Sequence, residues 1–327
     1  VSIDRQLLAE AAQRVLADDP SAPVRVRLLR DVLGRGPDDP ELIDARRELA
    51  QSRWVGVLES EQRADGGWGP FHSRSVKLKQ RTISTEFGVE RALALGLTGA
   101  DPLLARAREN IAGLLGDPSA FPDLPEKNDR WPTGLPMILA GTLALIEPRH
   151  PAIAPVRELW IELAKRIFKG GGYSEQAEIA AHAELTGATV RGSYLHIANR
   201  YAVSILSSAP QLLPTSLEQA YVGWLYRKPE GLDYLEEQLS AMPPPSQRPG
   251  RFDRWLTSLE LISRLPGWRE HAATALDWLW AQRDSNGMWD LGPRGSTTAW
   301  FPLSDSWRKP QCRRHDWTAR VLSLLSG

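Results

Sequence analysis

An all-α fold is predicted by three observations. Apolar residues recur at helical spacing in segment after segment. Strand signals are scarce: no sustained apolar–polar alternation, and no Asn-Gly turn between β-branched runs. The 25 prolines and 26 glycines gather mainly between the apolar segments, where chain breakers belong.

The elements follow in order. Leu8, Ala11, Ala12, Val15 and Leu16 make a first apolar stripe. A second helix is expected over 24–33, with Ser21 and Pro23 as start signals and Gly34 as stop. Asp39-Pro40 opens a third, with proline in its first turn. Further helices are expected over 85–95, 102–115, 135–146, 154–168 and 175–185. After them come 194–206, 217–226, 232–242, 254–265, 268–282 and 315–325. Long connections rich in glycine, proline and aromatics, such as ADGGWGPFHSRS and SNGMWDLGPRGSTTAWFPLSDSWRKP, separate some of them. Loops of that length pack over something or bind something.

The chain has 327 residues, 42% of them apolar and 24% charged, which supports one large core or two ordinary ones. Forty basic and forty acidic side chains cancel, against the basic excess of a dedicated nucleic-acid binder. One cysteine, Cys312, excludes an internal disulfide. No apolar run is long enough to span a membrane, and the opening VSIDRQLLAE lacks the pattern of a signal peptide. A cytoplasmic protein is the expectation. Thirteen tryptophans against six phenylalanines point to particular tasks for indoles.

Two segments align: Gln62-x3-Gly66-x-Trp68 and Gln282-x4-Gly287-x-Trp289. In each, a helix ends near Gln, Gly permits a turn and Trp covers the helix end. Thr85-Glu86 follows the first and Asp316-Trp317-Thr318 the second; Lys169-Gly-Gly-Gly-Tyr173 reads as a worn third copy. This pattern resembles the QW repeat of the terpenoid cyclase and protein prenyltransferase superfamily. The resemblance implies an α/α toroid, a double ring of helices around a central cavity, over 53–327, with residues 1–52 as a helical lead-in packed on it. It implies a hydrophobic cavity for an isoprenoid or other apolar ligand, and acid-initiated cyclisation or isomerisation without a cofactor. The alternative is a toroid kept as a non-catalytic binding or interaction scaffold. The longer two-domain form and the DxDD and DDxxD motifs of that superfamily have no intact counterpart here.

On the resemblance, Asp316 falls at the proton-donor position of the cyclases, beside His315; the other reading is a first-turn carboxylate facing the helix dipole. Glu86, at the place matched to Asp316, is a second candidate acid. Glu178 and His182 share a helix face as an acid–base pair or metal half-site, or simply a solvated surface. With Tyr194 and His196 they form a candidate polar cluster on the cavity wall. Trp131, Trp255, Trp300 and Trp307 are candidate cavity linings, each also suited to capping helices. No metal is expected; the nearest approach to a zinc set is Asp305, Cys312 and His315, whose spacing departs from the prenyltransferase pattern. Arg74, Lys77, Lys79 and Arg81 make a basic run in the first long loop, and His72 reads as a loop histidine. A third class, an α/α-barrel carbohydrate-active enzyme, requires that acids among Glu86, Glu178, Asp253 and Asp316 converge.

Overall fold

The computed structural model describes residues 4–72, 79–190, 194–235, 237–242, 249–292 and 302–327. Trp300, Arg74 and Lys77 lie outside the described residues. Among those described the fold is all-helical, without strands; Asn199 and Asp233 form one isolated bridge. No helix among them is long and apolar enough to cross a membrane.

Three helices open the chain: α1 (Arg5–Ala17), α2 (Ala22–Arg27) and α3 (Pro40–Ala50). A π-helical turn, Leu28–Val32, prolongs α2. Asp39 caps α3 by accepting the Glu41 and Leu42 amides, and Pro40 sits where its missing N–H costs nothing. Next come α4 (Arg53–Glu61), α5 (Thr85–Leu95), α6 (Pro102–Gly116), α7 (Trp131–Ile146) and α8 (Ala154–Ile167). Then follow α9 (Glu175–Leu185), α10 (Arg200–Ser207), α11 (Thr215–Arg227) and α12 (Pro249–Ile262). The last are α13 (Trp268–Ala281) and α14 (Pro310–Ser326).

Two sequence expectations are corrected. The described residues of 232–242 form turns, not a helix. Leu232, Leu235 and Leu239 are buried as a helix would bury them. However, Gly231 and Tyr234 both take φ of 71°, which breaks helical continuation. The helix expected over 194–206 begins only at Arg200, because Asn199 caps it by accepting the Tyr201 amide.

The two Gly-x-Trp turns are built alike. Trp68 Nε1 donates to the Leu58 carbonyl in α4, and Trp289 Nε1 to the Leu279 carbonyl in α13, at 2.8 and 2.7 Å. The Trp68 and Trp289 amides donate to the hydroxyls of Thr85 and Thr318. Gly66 holds φ 88°, and a Cβ there would stand 2.4 Å from the Arg106 carbonyl oxygen. The glutamines differ. Gln62 reaches across the turn to the Gly66 and Leu103 carbonyls, whereas Gln282 turns back to Trp278 in its own helix. Tyr173 closes on no helix carbonyl in this way; its hydroxyl goes to Glu178 and its ring stacks on Trp224 at 4.1 Å.

Neighbouring helices position the interior. α5 packs against α7, α7 against α10, and α10 against α12. α2 packs against both α5 and α14, and α1 against α14. α12 and α14 are joined by Arg320, which is 1% exposed and bonds Asp253, Thr257 and Glu260.

Candidate functional site

A cavity of about 250 Å³ lies among α2, α5, α7, α10, α12 and α14. Its apolar wall comes from Leu93, Leu145, Leu235, Leu261 and Leu324, its polar wall from Arg27, Glu90, Arg200, Tyr201, Glu260 and Arg264. That volume is below the ~300–1,000 Å³ of drug-sized ligand sites, so only a small molecule fits. Arg200 pairs with Glu90 across the wall, and Glu260 accepts two bonds from Arg320 at 2.7 and 2.6 Å.

Tyr201 ties the cavity to a second group. Its hydroxyl donates to Glu86, whose other oxygen is 2.7 Å from His72 Nδ1. The Tyr201 oxygen is 3.1 Å from the same nitrogen. Burial pushes the Glu86 carboxyl up, but the bonds from His72 and Tyr201 and the charge of Arg200 prevail and hold it below the ordinary value. His72 is raised by its hydrogen bond to Glu86. Asp123 fixes the loop by accepting the Phe71 and His72 amides at 2.7 and 2.9 Å. The result is a hydrogen-bonded chain from the cavity wall to a half-buried imidazole, a geometry suited to moving a proton.

Glu178 anchors a second trio. It is fully buried and accepts from Tyr173 Oη at 2.7 Å, His196 Nδ1 at 3.1 Å and the Ile197 amide at 2.6 Å. Burial raises its pKa, but these donors outweigh it and keep the carboxyl below its ordinary value. His182 shares the helix but not the cluster. It is fully buried against Trp160, with neither ring nitrogen hydrogen-bonded among the described residues. Burial pushes its pKa down to about 4. The unfolded chain therefore binds this proton more readily than the folded one. The neutral ring's contribution is full above about pH 6.5 and is lost as pH falls towards about 4, roughly 3 kcal/mol in all. His182→Met is expected to remove this loss. Urea unfolding at pH 8 and pH 4.5 checks it: parallel profiles for the variant and the unsubstituted chain would refute the assignment.

Asp316 is not in a first turn. Pro310 begins α14, two turns earlier, so Asp316 lies inside the helix and is fully buried. It accepts from the Leu303 amide, the Ser304 amide and hydroxyl, and Trp307 Nε1, which pins the preceding loop to the helix. Burial raises its pKa to about 6. It does not border the cavity. Nor is it matched in position to Glu86: Glu86 follows the threonine that receives its Trp amide, while Asp316 precedes its threonine. His315 is 3.4 Å from Asp18 and points to the end of α1.

The remaining candidates are dispersed. Trp131 packs edge-on against Phe121, and Trp255 donates to the Leu239 carbonyl among Phe252 and Trp278. Tyr194 bonds Glu126 and covers Gly134, where a Cβ would meet its ring at 2.4 Å. None of Trp131, Tyr194, His196, Trp255 or Trp307 borders the cavity. Asp305 is exposed and Cys312 half-buried, and no group of three metal-ligating side chains occurs among the described residues. The acids Glu86, Glu178, Asp253 and Asp316 have no hydrogen-bond partner in common.

Sequence reasoning missed Tyr201, Arg200, Glu90, Arg27 and Arg264, and read His72 only as a loop residue. Its sole signal is the His72–Glu86 spacing across the first repeat's loop. Comparison with protein-family models, with curated proteins and with solved structures finds no match to this chain. Fold and site together define an all-helical protein with a partly open cavity of mixed polarity.

Proposed function

We propose that this chain is a divergent α/α toroid of the terpenoid cyclase and protein prenyltransferase type, acting in the cytoplasm, whose central cavity binds a small ligand with an apolar body. The observation that carries the reading is the cavity itself, walled by helices from α2 at one end of the chain to α14 at the other. The likeness of the two Trp turns and the circuit of packing from α2 through α5, α7, α10, α12 and α14 support the toroid. The five leucines support the apolar body. Proton-initiated chemistry finds better support in the Tyr201–Glu86–His72 chain than in Asp316, because only the former reaches the cavity wall.

Native mass spectrometry of the purified protein, with extraction of bound compounds, tests the proposal. A co-purified small hydrocarbon-bearing molecule is expected, and Ser263→Trp, which fills part of the cavity lining, is expected to lose it. Equal retention by that variant would place the ligand elsewhere and defeat the reading.

A further inference from the structure

The charges around the cavity do not balance. Three guanidinium groups line it, Arg27, Arg200 and Arg264, against two carboxylates, Glu90 and Glu260. Arg200 takes Glu90. Both oxygens of Glu260 are occupied by Arg320. Arg27 donates to the Ala94 carbonyl at 3.1 Å and lies 3.8 Å from Asp31. Arg264 lies just beyond the end of α12; its guanidinium has no hydrogen-bond or ion-pair partner among the described residues, although the charge of Glu260 acts on it. Its side chain is exposed to solvent. Its accessible surface is shared between the cavity and a shallow recess formed by Ser263–Glu270. Its planar fork, at the edge of the cavity, suits a carboxylate in two-point contact.

We infer that the cavity takes a monoanion: a small aliphatic carboxylate whose charged end pairs with Arg264 and whose hydrocarbon body lies against Leu93, Leu145, Leu261 and Leu324. The inference rests on the cavity being a ligand site. One guanidinium without a side-chain partner offers one two-point contact, and the small volume calls for a short body.

Isothermal titration with three probes of one chain length, hexanoate, hexanol and hexyl phosphate, tests it at low salt. Hexanoate is expected to bind at least tenfold more tightly than hexanol. Arg264→Gln is expected to abolish that preference without changing hexanol binding or the urea midpoint, and Arg264→Lys to restore part of it. Equal binding of hexanoate and hexanol, or a preference that survives Arg264→Gln, overturns the monoanion and leaves the cavity reading standing. Tenfold tighter binding of hexyl phosphate than of hexanoate overturns the carboxylate in favour of a dianion. Failure of all three probes to bind overturns the cavity reading together with the inference.

Discussion

Arg320→Ala is expected to destabilise the protein by about 3–5 kcal/mol, the cost of stripping one partner from a buried ionic network. The guanidinium is 1% exposed and joins Asp253, Thr257 and Glu260. Asp253 is fully buried, so without Arg320 its charge has no counterpart in a medium that solvates it poorly. Burial opposes the charge of Arg320, but Glu260 and Asp253 more than offset this and hold it protonated well above its ordinary range. The network also fastens α12 to α14 beside the cavity, so its loss loosens a wall as well as lowering stability. Arg320→Met combined with Asp253→Leu removes both charges and is expected to recover much of the loss, because apolar replacement of a whole buried pair is often nearly neutral. Urea unfolding of the single and double variants decides the matter. A single-variant effect below about 1 kcal/mol would mean that water already reaches Asp253.

What the sequence reveals follows the range of the interaction concerned. Helix existence was legible almost throughout, because apolar spacing and caps such as Asp39-Pro40 are local. The segment 232–242 shows the limit. Its leucines have helical spacing and are buried, but a left-handed Tyr234 and a hydrogen bond from the Asp233 amide to the Ala198 carbonyl make it a packed turn. Periodicity reports burial and not the backbone that achieves it. Glu178 and His196 were legible as a cluster because α9 leads directly into the segment that carries His196. His72, Glu86 and Tyr201 were not, because Tyr201 reaches the other two only through the packing of α10 near α5 and α7. The arginines Arg27, Arg200 and Arg264 come from distant parts of the chain and resemble ordinary surface charges in one dimension. Asp316 stands out in the sequence for its neighbours Thr318 and Ala319, yet its surroundings depend on where α14 starts, and that start is Pro310 and not His315.

The Trp turns give the second large effect. Trp68→Ala and Trp289→Ala are each expected to cost about 3–5 kcal/mol, as for other large buried side chains. Both rings are fully buried, and that of Trp68 rests on Gly88, where a Cβ would come within 2.5 Å of it. Substitution by phenylalanine separates packing from hydrogen bonding. It keeps most of the apolar contact but removes the indole N–H, leaving the Leu58 or Leu279 carbonyl without that donor. About 1–3 kcal/mol is expected for each phenylalanine variant. The two should agree within about 0.5 kcal/mol if the turns are equivalent devices, since each Trp joins the end of one helix to the threonine of a later one. Trp131→Phe, at a half-buried helix start, is the control and should change stability little. Denaturant midpoints for these variants bear directly on the repeat. Closely matched losses for Trp68 and Trp289 would mean that one structural solution has been used twice in the chain. A large loss at one and almost none at the other would reduce their likeness to a coincidence of short turns, and with it the strongest internal support for a toroid.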